Sequence, residues 1–235
     1  MPASSPRLRP DLLEIAELIE PGTRVLDLGC GEGELMAYLE QAKRVSARGA
    51  EIKPERVVDC VARGLAVCQG DIDEGLHDYA DGSFDYVVLS LTLHLVSRPG
   101  LVVREMLRVG RRGIVSIPNF GYWRIRFGLL LRGRVPRAGC FKDAWYDTPT
   151  GHVMTLNDFR DFCAENAIRV EQQRFVASGG AISRGLADTL PNPFAQLGIY
   201  VVSKAVAEKG TGTFCLKGPK GASPKTYLSP FPRPA

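Results

Sequence analysis

The segment Val25-Leu-Asp-Leu-Gly-Cys-Gly-Glu-Gly33 constrains this chain more than any other stretch of it. An apolar run holds an acid, Asp27, and glycines follow at alternate positions, Gly29, Gly31 and Gly33. Glycine lets the backbone turn with positive φ and lets a ligand lie against bare main chain. A first strand feeding a first helix needs that freedom where it cradles a nucleotide. The dinucleotide spacing G-x-G-x-x-G would require a glycine where this chain has Glu34. An acid two residues before the first glycine also suits a pyrophosphate poorly, because both are anionic. It suits a ligand with an ammonium group, such as the methionine end of S-adenosylmethionine.

Later acids extend the pattern. Val45 to Ile52 is a second strand ending at Glu51, about twenty residues beyond the loop, where an acid accepts hydrogen bonds from both ribose hydroxyls. A third run, Ala66 to Gly70, leads into Asp71, placed to bond an adenine amino group. A fourth, Phe84 to Leu89, ends at Ser90 and closes the pocket floor. One such acid by itself is an ordinary helix N-cap. Three, each ending a successive strand, make a far more specific pattern. In this the chain resembles the class I S-adenosylmethionine-dependent methyltransferases. The resemblance implies an α/β fold with a doubly wound, mostly parallel seven-stranded Rossmann-like sheet, and Asp27, Gly29, Gly31, Gly33, Glu51, Asp71 and Ser90 as cofactor-binding positions.

The rest of the chain alternates as such a fold requires. Leu8 to Ile19 reads as an amphipathic helix with Leu12, Ile15, Ala16 and Ile19 on one face, broken by Pro21-Gly22. Glu34 to Gln41, Pro54 to Arg63 and Pro99 to Val109 read as further helices, and Gly113 to Ile117 as a fifth strand stopped by Pro118. Thr155 to Asn166 opens as a capped helix, with Asp158 three residues after Thr155. Strands at about 168–176 and 197–203 follow with no helix expected between them, which predicts an antiparallel hairpin at the sheet edge.

Composition bounds the function classes. With 235 residues, 45% of them hydrophobic, the chain has material for one core, and residues 1–204 read as one domain. That body is neutral; the tail from Ala205 holds five basic residues against Glu208 and supplies the whole net charge of +4. A nucleic-acid enzyme more often has a basic body, so no nucleic-acid partner is expected. The six cysteines include no C-x-x-C pair, and His77, His94 and His152 are not at metal-ligand spacing, so no metal is expected. With no apolar leader and no apolar stretch of membrane-spanning length, a cytoplasmic protein with reduced thiols is the expectation. The Gly, Pro, Ser and Lys composition of residues 205–235 predicts a disordered tail.

Residues 119–153 are too long for a simple strand-to-helix connection. They hold both tryptophans, Trp123 and Trp145, the run Phe127 to Leu131, and five arginines including Arg124 and Arg126. Following strand five, this insertion lies over the carboxyl edge of the sheet. It reads as a helical lid packed on the core, as an acceptor pocket, or as a docking surface for another protein. His94, four residues past strand four, is the one candidate general base, with Tyr122, Tyr146 and His152 behind it. A lone histidine there is more often a structural or pocket-lining residue, and no catalytic residue is assigned.

The insertion also carries a closer resemblance. Asn119-Phe-Gly-Tyr-Trp-Arg-Ile-Arg, Arg134-Val-Pro and Trp145-Tyr-Asp-Thr-Pro-Thr-Gly-His are similar to segments of the methionine biosynthesis protein MetW family. So are Arg9-Pro-Asp-Leu, Asp81-Gly-Ser-Phe-Asp, Glu105-Met-Leu-Arg-Val-Gly-Arg, and Pro191-Asn with Gly198-Ile-Tyr. The chain departs from the family pattern at Leu91 and His94, at Tyr122 and at Thr150-Gly151. The resemblance implies a methyltransferase-like protein that binds S-adenosylmethionine and supports homoserine O-acyltransferase as a partner in methionine synthesis. An active small-molecule methyltransferase is the alternative. Asn119, Tyr122, Trp123, Arg126, Trp145, Tyr146 and His152 are the expected partner or acceptor surface.

Overall fold

Strands such as Tyr86-Val-Val-Leu and Ile199-Tyr-Val-Val are apolar at consecutive positions, so both of their faces must be covered. The computed structural model, which describes residues 8–134, 151–177 and 181–205, shows helices doing so. The first half runs α1 (Pro10–Leu18), β1 (Arg24–Leu28), α2 (Glu34–Lys43), β2 (Ser46–Glu51), α3 (Pro54–Ala62), β3 (Val67–Gln69), β4 (Phe84–Ser90), α4 (Pro99–Val109) and β5 (Gly110–Pro118). The second adds α5 (Trp123–Arg132), α6 (Leu156–Glu165), β6 (Ile168–Val176), α7 (Ala181–Thr189), α8 (Pro191–Phe194) and β7 (Leu197–Lys204). Seven strands form one sheet in the order β3-β2-β1-β4-β5-β7-β6. The first five are parallel, and β7 runs antiparallel to both β5 and β6. This is the expected doubly wound, mostly parallel sheet with an antiparallel edge pair.

Alternation along each strand sorts the core into two layers. Leu26, Leu28, Val87, Leu89, Val115 and Ile117 point to one face, where α4 contributes Val102, Val103 and Met106 and α6 contributes Phe159 and Cys163. Val25, Tyr86, Val88, Ile114 and Ile199 point to the other, under Leu12, Ile15 and Ala16 of α1 and Leu35, Met36 and Leu39 of α2. The four residues assigned to the inner face of the first helix, Leu12, Ile15, Ala16 and Ile19, are all buried. The cap at Thr155 is a full capping box: Thr155 Oγ1 accepts from the Asp158 amide, and Asp158 accepts from the Thr155 amide.

Two expectations need correction. Helices α7 and α8 lie between β6 and β7, where none was expected. Gly185 in the middle of α7 and the prolines of Pro191-Asn-Pro weaken the local helix signal. The fifth strand begins at Gly110 rather than Gly113. Its first stretch of ladder carries Arg111 and Arg112, which are exposed and pair with Asp85 at 3.7 Å and Glu171 at 3.1 Å, so no apolar run marks the start. Trp145, Tyr146 and the tail from residue 206 lie outside the described residues.

Candidate cofactor site

The glycine loop joins β1 to α2 with Gly29 and Gly33 at φ of 70° and 72°, in the left-handed region. A Cβ at Gly29 would lie 2.9 Å from Thr92, and one at Gly33 would lie 2.5 Å from Leu65 Cδ1. Glycine is therefore required at both positions for conformation and for space. The loop is tied to β2: the Gly29 and Cys30 amides donate to the Ala50 carbonyl at 2.8 and 3.2 Å. A cleft of about 370 Å³ opens beside it at the carboxyl ends of β1 and β4.

The acids are used unequally. Asp27 lines the cleft, is 4% exposed, and accepts no hydrogen bond from any described residue. Burial, with the nearby Glu51 charge adding to it and Arg9 opposing it, pushes its carboxyl up to about 7. Glu51 is equally buried, but its carboxylate is engaged: Oε2 accepts from the Gly31 amide at 2.9 Å and Oε1 from the Lys53 amide at 3.0 Å. The acid expected at the ribose clamps the glycine loop and is not itself among the residues lining the cleft, though each of its oxygens keeps a further lone pair. Arg56 Nη1 stands 4.0 Å from Glu51 Oε2. Asp71 is not brought to this cleft; it is exposed, and its Oδ1 accepts from the Asp73 amide as the cap of a short 3-10 turn.

Across the cleft, Ser90, Leu91, Thr92 and Leu95 form the wall after β4. Leu91 sits at φ 50°, a conformation a branched side chain rarely adopts. Its amide is held by Ser116 Oγ at 2.9 Å, and Ser116 Oγ also donates to Ser90 Oγ at 3.3 Å. His94 is half-buried with its Nδ1 sealed from solvent and unpaired. Burial, and then the nearby His152, hold its basicity below the ordinary histidine value. His152 closes on the same loop: its amide donates to the His94 carbonyl at 2.6 Å and its Nε2–H to the Val96 carbonyl at 3.0 Å.

The expected partner surface divides into interior and exterior. Asn119 is 1% exposed; its Nδ2 donates to the Asn192 and Ala195 carbonyls, both at 2.7 Å, and its Oδ1 accepts from the Gly121 amide. It fastens the end of β5 to α8 and offers nothing to a partner. Tyr122 is buried as well. Trp123 and Arg126 stand on the exposed side of α5, where Arg124 stacks over the Trp123 ring at 5.4 Å. The cleft also contains Arg9, Arg56 and Thr92, none of which was assigned a site role from sequence. Only the Arg9-Pro-Asp-Leu segment had marked one of them.

The strand order β3-β2-β1-β4-β5-β7-β6, with a glycine loop between β1 and α2, is a Rossmann-like methyltransferase fold. Solved methyltransferases of that type share it. One from Mesorhizobium loti matches with a TM-score of 0.61 at 19% identity over 82% of this chain and 95% of that one. Another from Archaeoglobus fulgidus matches with a TM-score of 0.62 at 15% identity over 86% and 95%. Within that fold, residues 9–202 match the model of the methionine biosynthesis protein MetW family, and the chain belongs to it. A bifunctional methionine biosynthesis protein MetXA/MetW of Rhodopirellula baltica is 36% identical over 177 residues. Those residues make up 72% of this chain but 28% of that relative. No helix among the described residues is long and apolar enough to cross a membrane.

Proposed function

We propose that this protein supports homoserine O-acyltransferase in methionine synthesis as a physical partner, and that its cleft binds S-adenosylmethionine. The observation that carries the partner reading is α5. Its one buried residue is Ile125, while Trp123, Phe127, Leu130 and Leu131 form an apolar stripe on the opposite side of the helix. Leu130 and Leu131 are each 77% exposed. Aromatic and arginine side chains are the usual anchors of interfaces, and Arg124 and Arg126 flank the stripe. The Rhodopirellula relative supports a physical partnership, because its name joins MetXA and MetW in one bifunctional methionine biosynthesis protein.

The cofactor reading rests on fit. Asp27 offers a buried carboxyl that accepts no hydrogen bond among the described residues, suited to an ammonium, and the cradle at Gly29 leaves no room for a Cβ. Glu51 has lone pairs left for ribose hydroxyls. S-adenosylmethionine supplies an already activated methyl group, so positioning alone provides much of the acceleration of a transfer. A second reading, an active small-molecule methyltransferase, draws on His94, an imidazole whose basicity burial lowers and whose sealed Nδ1 would serve as a general base only once uncovered toward an acceptor.

The test is co-purification of homoserine O-acyltransferase with the wild-type protein and with Leu130→Glu, alongside calorimetry with S-adenosylmethionine and S-adenosylhomocysteine. Retention by wild type and loss in the variant support the partner role. Cells lacking the protein that keep full homoserine acyltransferase activity and grow without methionine refute it, and the methyltransferase reading then leads. Absence of calorimetric binding to wild type removes the cofactor.

A further inference from the structure

We infer that α5 docks in an apolar groove rimmed by carboxylates on the acyltransferase. Trp123, Phe127, Leu130 and Leu131 fill the groove, and Arg124 and Arg126 meet the rim on either side. The inference rests on the partner reading above and adds to it the chemistry of the partner's surface and the mode of docking. Helix geometry supplies the first part. At about 100° per residue, the four apolar side chains project within a sector of about 100°, the spacing of a helix laid in a groove. Arg124 lies about 20° beyond one edge of that sector and Arg126 about 40° beyond the other. Ile125, the one buried residue of the helix, points to the opposite side and ties α5 to the body. The anchors are arranged before any partner arrives. Trp123 meets Phe127 edge to face with centroids 6.3 Å apart, and Arg124 stacks over the Trp123 ring at 5.4 Å. Rings held by their neighbours lose little rotamer freedom on docking, so more of the apolar burial is left for affinity.

Charge selects the rim. Residues 119–134 contain Arg124, Arg126, Arg132 and Arg134 and no acid, in a body that is neutral as a whole. Arginines elsewhere are already paired within the chain: Arg24 and Arg111 with Asp85, Arg108 with Asp81 and Glu105, and Arg174 with Glu14 and Glu17. None of the four on this segment stands within ion-pair distance of a carboxylate among the described residues. Like charges gathered on one face repel one another, and an opposed surface that brings carboxylates relieves that repulsion. Guanidinium forks also match carboxylates two hydrogen bonds at a time, which fixes the register of the helix in its groove. The fixed relief of interlocked rings favours a shaped protein groove over a fluid lipid surface, and anionic vesicles form the contrary arm of the test.

The experiment measures association and dissociation rates of the full chain with homoserine O-acyltransferase at about 50 and about 500 mM salt. Wild type, the double variant Arg124→Glu/Arg126→Glu and Leu130→Ala are compared, with a melting curve of each and sedimentation of wild type with phosphatidylglycerol vesicles. All three substituted positions are exposed, so folding is expected to be retained, and the salt dependence of wild type tests the rim without any substitution. The wild-type association rate is expected to fall about tenfold or more across that salt range, with dissociation changed by less than about threefold. The double reversal should lower the low-salt association rate about tenfold and remove most of its salt dependence. Leu130→Ala should act the other way, raising dissociation about tenfold and leaving association within about twofold. A wild-type association rate indifferent to salt overturns the inference, as does a double reversal that associates as fast as wild type; either leaves the partner reading standing. Wild type that binds no acyltransferase overturns both, and sedimentation with the vesicles in that case assigns the stripe to a lipid surface.

Discussion

Asp27→Asn separates what the site does for a ligand from what it does to the fold. Burial and the Glu51 charge raise the Asp27 carboxyl from its ordinary 3.8 to about 7. An acid with a raised folded-state value binds a proton more readily when folded. Its contribution to stability is therefore fully present below about pH 4 and is lost as the pH rises toward 7, which makes stability fall across that window. At about 1.4 kcal/mol for each pH step, the whole interval amounts to about 4 kcal/mol. Asparagine is nearly isosteric and does not titrate, so any packing or hydrogen-bond cost of the amide is independent of pH. The stability of Asp27→Asn relative to wild type should then rise by about 2–3 kcal/mol between about pH 5 and pH 8, or about 5–10 °C in Tm. Urea unfolding of both proteins across that range measures the difference, and calorimetry at about pH 8 should show S-adenosylhomocysteine binding lost in the variant. A stability difference that stays flat with pH would refute the argument that Asp27 is held against its charge.

Other substitutions probe the remaining elements. His94 is shifted the opposite way, by burial and then by His152, so its stabilising effect is present above about pH 6.5 and is lost as the pH falls through its folded value. His94→Gln should flatten the acid side of the stability profile, and an unchanged profile would exclude His94 as its source. Asn119→Ala removes a buried amide making three hydrogen bonds and should destabilise by about 2–4 kcal/mol in urea unfolding. Leu130→Glu, at a site 77% exposed, should change stability by less than about 0.5 kcal/mol while abolishing co-purification of the acyltransferase. A large loss of Tm in that variant would mean that the stripe packs against the protein itself.

Local chemistry makes much of this protein legible in its amino-acid order alone. The glycine spacing, the apolar runs of the strands and the Thr155–Asp158 box each signal through neighbours along the chain, and each takes the local form those neighbours dictate. Apolar residues at consecutive strand positions also imply cover on both faces, which determines the doubly wound class. Tertiary structure decided the rest. Whether β7 enters between β5 and β6, and that α7 and α8 carry the chain there, depends on edges and faces left uncovered by other elements. Asn119 reads as a surface residue in sequence, yet it is buried because carbonyls more than seventy residues away, at Asn192 and Ala195, come to meet it. Glu51 clamps the glycine loop because parallel pairing sets β2 beside β1 in a register that brings its carboxylate to Gly31. Arg9 and Asp27 face one cleft only because strand parity turns Asp27 toward the helix that Arg9 begins. Periodicity reports which way a side chain points from its own element; only packing determines what stands opposite it.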